Sequence, residues 1–349
     1  MQTKKYQIVF AFIALGVTLF SCRKPEPDAP EDATYNVWVL NEGIWNMNNA
    51  GITAYNTSTQ QRLGDIYQHV NRRGLGDVAN DILVYGSKAY IVVNNSNRID
   101  VVDKNTGVSI KQISGSASQP RCLAACNGKI YASYYSGVVA KIDTALLQIE
   151  ATVSVGRNPD GICAANNKLY VCNSGGLDFP NRDNTVSVID LDAFSEIKKI
   201  SVRINPTSAK ANRNEEVYVV SNGNYEDIPP CLQRINVHTD EVEKTFELEV
   251  VNFDIYNNAM YFYTYNYSTQ KSSYQIFDLQ KESITNTQFL SGTLPKTPYG
   301  IYINQSNGEI YITDALDYSS TGDVYCFHAD GTKKFSFEAG RCPKKVVIK

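Results

Sequence analysis

The chain has 349 residues, 43% hydrophobic and 20% charged, with 22 Gly, 12 Pro and 23 Tyr but only 3 Met. That composition excludes a disordered or collagen-like polymer, and its aromatic and turn-forming residues favour many short strands over a helical bundle. With 33 basic against 36 acidic residues and no basic run beyond the N-terminus, the chain lacks the electrostatic footprint of nucleic-acid binding. Its three histidines, His69, His238 and His328, are too scattered to ligate a metal together.

At the N-terminus, Lys4 and Lys5 precede an apolar stretch from Ile8 to Phe20. It is too short for an ordinary spanning helix and has the length of a secretory h-region. Ser21 followed by Cys22 resembles the processing box of bacterial lipoproteins, which implies a signal peptide over residues 1–21 and a lipidated Cys22. Residues 22–33 include Pro25, Pro27 and Pro30 among charged neighbours and cannot bury a core, so they are expected to form a flexible tether. Its acidic stretch resembles the export signal of outer-surface lipoproteins in gut-type Gram-negative bacteria. The expected location is the outer membrane, lipid-anchored and facing the exterior. Seven cysteines remain after Cys22, an odd number that sits mostly in apolar runs, so they are expected to act as small buried hydrophobes rather than as a disulfide framework.

The rest of the chain repeats. Each unit has a Pro or Gly turn, a short apolar run, a polar turn, and a second run anchored on an aromatic residue. The anchors are Trp38, Tyr90, Tyr131, Tyr170, Tyr218, Tyr261 and Tyr311, with a mean spacing of about 45.5 residues, the length of a four-stranded propeller blade. Third strands end in Asp, as at Asp103, Asp143, Asp190 and Asp278, and turn formers and a fourth strand follow. The first unit lacks its opening strand, and the segment from Cys342 to Ile348 supplies one. Residues 34–349 are therefore expected to form one all-β, seven-bladed β-propeller, closed by the C-terminal strand pairing with the N-terminal blade. The anchor tyrosines are expected in the core, their hydroxyls satisfied locally.

In such a meander, residues just before the first strand and just after the second emerge on one face. The first group is Asp77, Arg121, Asp160, Thr207, Phe253, Tyr299 and Lys344. The second includes Trp45, Asn94, Tyr134, Tyr135, Asn173, Phe179, Asn222, Tyr225, Tyr265, Asp314 and Tyr318. This face carries the longest loops and mixes aromatics with amides, which suits a large ligand that is part apolar and rich in hydrogen-bonding groups. All of these except Thr207 and Phe253 are taken as ligand-binding candidates. The opposite face, built from tight turns, is expected to offer little. Catalysis finds less support: the face shows the carboxylates Asp77, Asp160, Asp178 and Asp314, but there is no nucleophile elbow, no Gly-rich phosphate loop, and no histidine in register with them. No cofactor or metal is assigned, and a calcium-dependent lactonase-like enzyme is the weakest reading.

The pattern Pro-x-Gly-Ile, Lys-Leu-Tyr-Val-x-Asn and Val-Ser-Val-Ile-Asp, at Pro159 to Asn173 and Val186 to Asp190, resembles the YncE-like and surface-layer-type propellers. Together with the lipoprotein signal and acidic tether, it is similar to the outer-surface propeller lipoproteins that capture cobalamin and pass it to a TonB-dependent transporter. The resemblance implies non-enzymatic capture of a corrinoid at the loop face, with Arg121 or Lys344 near the nucleotide phosphate. A surface glycan-binding propeller and a protein-docking propeller are the alternatives.

Overall fold

Runs such as Val37–Asn41 and Lys168–Asn173 are rich in β-branched and aromatic side chains and bounded by turn formers, so they fold as strands. The computed structural model describes residues 35–349, which form seven four-stranded antiparallel sheets. The expected signal peptide, tether and Cys22 lie outside the described residues. Among the described residues, no helix is long and apolar enough to cross a membrane.

Blade 1 is composite. Its innermost strand is the C-terminal Pro343–Ile348, which pairs antiparallel with Val37–Asn41 and places Trp38 opposite Val347. The innermost strands of blades 2 to 7 are Ala79–Tyr85, Pro120–Cys126, Pro159–Ala165, Pro206–Ala211, Asn252–Tyr256 and Pro298–Ile303. Each touches the next, and Pro343–Ile348 against Ala79–Tyr85 closes the ring. The closing strand covers the edge that Val37–Asn41 would otherwise present for pairing with another chain. Blade 1 departs from the repeat at its rim, where a two-residue outer strand, Arg62–Leu63, gives way to a helical turn at Ile66–Asn71 capped by Asp65.

The Asp that ends four of the seven third strands has a local cause. Asp103 accepts the Asn105 and Thr106 N–H groups at 2.9 and 2.9 Å, and Asp143 accepts those of Ala145 and Leu146 at 2.8 and 2.5 Å. These turn N–H groups hold both carboxyls below their ordinary range.

Of the anchors, Trp38, Tyr90, Tyr131, Tyr170, Tyr218 and Tyr311 are buried, whereas Tyr261 is half-buried. Tyr170 donates to Asp240 at 2.6 Å, but the Tyr90 hydroxyl has no partner among the described residues, so local satisfaction holds only in part. The seven described cysteines are all free thiols, five of them buried and Cys122 and Cys126 half-buried.

Candidate functional site

Six of the seven innermost strands carry a β-bulge where they meet the mouth. Pairing with the second strand slips between Ala79 and Asp81, Pro120 and Leu123, Pro159 and Ile162, Pro206 and Ser208, and Pro298 and Gly300, and likewise where Pro343 meets Asn41. A bulge leaves residues out of the ladder and re-aims their side chains. The residues freed are Asn80, Arg121 with Cys122, Asp160 with Gly161, Thr207, Tyr299 and Lys344. Four sequence-derived candidates, Arg121, Asp160, Tyr299 and Lys344, are thus brought together as one ring. Blade 6 has no slip, and its Phe253 is buried.

The ring is tight because innermost strands approach closely. A Cβ on Gly161 would lie 2.7 Å from the Thr207 carbonyl oxygen, and one on Gly300 would lie 2.1 Å from that of Lys344. Asp81, next to the bulge of blade 2, and Asp254, in blade 6, tie neighbouring blades together, accepting the Leu123 and Ile303 N–H groups at 2.8 and 2.8 Å.

The charges around the channel are paired. Arg121 forks onto Asp160 through Nε and Nη2 at 3.1 and 3.1 Å and lies 4.3 Å from the centre of the Tyr135 ring. The Tyr135 hydroxyl donates to Asp160 at 3.2 Å. Lys345 meets Asp81 at 2.6 Å, and Lys344 meets Glu42 at 3.1 Å. Tyr299 also donates to Glu42. Burial first, and then the facing carboxylate, push the Tyr135 and Tyr299 phenols far above their ordinary range. Burial, with Asp160 and Asp81 adding to it, also pushes the Cys122 thiol up, so it is held protonated rather than as a nucleophilic thiolate. Among the described residues, no three His, Cys, Asp or Glu side chains gather as a metal-holding group.

The other side of the mouth is aromatic. Phe179, Tyr225, Tyr267 and Tyr318 are 63%, 67%, 70% and 41% exposed, on loops of blades 4, 5, 6 and 7. Arg182 bridges the first two, 5.6 Å from the Phe179 ring centre and 5.9 Å from that of Tyr225. Tyr267 packs edge-on against Tyr265 at 4.9 Å, and Tyr318 against Tyr299 at 5.8 Å. Burial, reinforced by the nearby Tyr267 and Tyr265 hydroxyls, pushes the Tyr318 phenol up to about 12. Trp45, in blade 1, is 69% exposed. Nine of the fourteen exposed large hydrophobic residues lie on this face, and the rest lie on or beside outermost strands, so the apolar surface is concentrated at the mouth.

Several sequence-derived candidates do not join it. Tyr134 is 2% exposed and packs between blades 2 and 3, while Tyr265 is 7% exposed because it lies within the strand Ala259–Asn266, whereas Tyr267 lies just past its end, in the turn. Asn173 is fully buried, donating to Thr185 and Ser187 at 2.9 and 2.9 Å. Asp314 is fully buried and accepts the Lys296, Thr297 and Leu316 N–H groups. Asp77 precedes the bulge by three positions and is tied to Asn95 and the Asn46 N–H at 2.6 and 2.9 Å; the residue equivalent to Arg121 in that blade is Asn80. Asn94 and Asn222 are half-buried and brace neighbouring strands through Pro120 and Thr207. Sequence reasoning places Glu42 and Tyr267 on this face, after second strands, without taking them as ligand-binding candidates, and it leaves out Arg182 and Asn80, whose places depend on tertiary contacts and on the bulge.

Two concavities lie away from the mouth. One, of about 520 Å³, sits between the outermost strands of blades 2 and 3, lined by Lys111, Ile113 and Leu147 among others. The other, of about 310 Å³, lies on the opposite face beside Lys210 and Asp254. The expectation that the opposite face offers little is therefore corrected, because the ends of three blades leave a recess there.

These features define a seven-bladed β-propeller consistent with a binding or scaffold role. No family profile and no curated protein matches the sequence. Among solved structures, the chain is similar to a quinoprotein alcohol dehydrogenase-like protein from Bacteroides thetaiotaomicron, with a TM-score of 0.64 and 14% identity over 90% of this chain and 78% of that one. It is also similar to hydrazine synthase from Kuenenia stuttgartiensis, with a TM-score of 0.59 and 16% identity over 70% of this chain and 74% of that one. Identities this low carry the fold alone.

Proposed function

We propose that this protein is a non-enzymatic capture module that binds a corrinoid of the cobalamin type at the propeller mouth. On this reading it is anchored through Cys22 to the outer membrane, faces the exterior, and passes its ligand to a TonB-dependent transporter. The observation that carries the proposal is the mixed chemistry of the mouth. Exposed aromatic rings, on blades 4 to 7 and at Trp45 of blade 1, surround amide, guanidinium and ammonium groups on blades 1 to 3. A corrin ring has apolar edges that aromatic rings can cover and amide arms that the polar side can bond. The channel cations are already paired, which favours a ligand bound by stacking and amide bonds over one held by net charge.

Calorimetric titration of residues 34–349 with cyanocobalamin, beside a panel of polysaccharides, tests this. The expected result is saturable cobalamin binding with Kd of about 1 μM or tighter. No heat with cobalamin removes the reading, and heat with a polysaccharide alone replaces it with glycan capture. The exposed rim also supports a protein-docking reading, favoured if neither titrant binds.

A further inference from the structure

On the face opposite the mouth, the ends of the innermost strands of blades 5, 6 and 7 enclose the recess of about 310 Å³. That volume is at the small end of ligand pockets. Its polar lining is Lys210, Asn212, Arg213, Asp254, Asn257 and Gln305.

Most of these groups are committed to the fold, and the remainder define the chemistry of an occupant. Asp254 uses one oxygen for Lys210 at 2.8 Å and the other for the Ile303 N–H at 2.8 Å, so it is neutralised. Asn212 accepts the Asn214 and Glu216 N–H groups and donates to the Glu216 carboxylate. The Gln305 amide nitrogen donates to the Ile255 and Ile303 carbonyls at 3.0 and 3.2 Å, which leaves its Oε1 as an acceptor. Lys210 spends one donor on Asp254. Arg213 is exposed and has no ion pair among the described residues. Glu215 is not part of the lining and lies toward Cys126 and Tyr170. The lining itself therefore holds two cations against one carboxylate, with spare donors on Arg213 and Lys210 beside one amide acceptor.

We propose that this recess is a second binding site, independent of the mouth, for a compact oxyanion that also bears a hydroxyl group. Arg213 offers a planar fork to two oxyanion oxygens, Lys210 adds a point charge, and Gln305 Oε1 accepts from the hydroxyl. A carboxylate on a sugar acid and a phosphate on a sugar share this chemistry.

The test titrates residues 34–349 with glucuronate, glucose 6-phosphate, inorganic phosphate and neutral glucose. Saturable binding of at least one hydroxylated anion is expected at about 1 mM or tighter, with glucose silent. Glucuronate and glucose 6-phosphate distinguish a carboxylate source from a phosphate source. Arg213→Gln should weaken binding roughly tenfold or more, and Gln305→Ala should narrow the gap between glucose 6-phosphate and inorganic phosphate. Arg213 is exposed, so its variant keeps the fold, and an unchanged melting temperature verifies this. Absence of anion binding, binding unaffected by Arg213→Gln, or binding lost instead on Tyr267→Ala at the mouth would each overturn the proposal. Cobalamin binding is read separately, so either site can fail without the other.

Discussion

The Tyr299 hydroxyl donates to the Glu42 carboxylate across 257 residues of sequence, and Lys344, 302 residues from Glu42, bonds the other oxygen at 3.1 Å. This contact joins blade 7 to both chain segments that make blade 1, and its ring also packs on Tyr318 at 5.8 Å. One residue thus links the closure of the propeller to the aromatic side of the mouth.

Tyr299→Phe keeps the ring and removes the donor. A hydrogen bond to a charged group contributes about 1.5–3 kcal/mol, so a stability loss of about 1–2 kcal/mol is expected for this partly exposed mouth. A melting temperature lower by a few degrees verifies it, and an unchanged one shows that Lys344 alone holds Glu42.

Tyr267 and Tyr265 lie two residues apart and should behave oppositely. Tyr267→Ala removes an exposed ring and is expected to weaken ligand binding roughly tenfold with little change in melting. Tyr265→Ala empties a buried position and should cost about 3–5 kcal/mol of stability. Paired melting and titration curves separate the two.

Asp160→Asn leaves Arg121 without its carboxylate in a site where the two side chains are 18% and 11% exposed. The expected cost is about 2–3 kcal/mol, because a mostly buried charge loses its partner. The double variant Arg121→Met with Asp160→Asn should recover most of that loss in denaturant unfolding. If the single and double variants are equally unstable, the pair is not the cause.

Tyr134 is a core residue whose phenol burial pushes up to about 12 from 10.0. The folded state therefore prefers the protonated phenol. Its contribution is fully present below pH 10 and is lost as pH rises from there through the folded value. Tyr134→Phe should flatten the alkaline decline in stability between about pH 10 and 12 while leaving ligand binding unchanged. Melting curves across that range, compared with the parent, decide it.

The chain alone determined the propeller because blades are built from local signals. Strand alternation, aromatic anchors such as Tyr170 and the Asp103-type turn act within tens of residues, and the split blade is legible as a strand missing from the first unit and a spare one at the end, ending at Ile348. The meander order also placed the exposed rings of Phe179, Tyr225 and Tyr318, each in the loop after a second strand, on one face. Only the tertiary structure decided which polar groups were free. Asp314 and Asn173 look like site residues in sequence but are consumed by backbone and neighbouring-strand bonds, and the partners of Arg121 and Tyr299 lie on other blades. The recess at Lys210 and Arg213 was equally hidden, because it exists only where three strand ends converge. A side chain's periodicity is written in its neighbours along the chain, whereas its hydrogen-bond partner is set by packing between segments far apart in sequence.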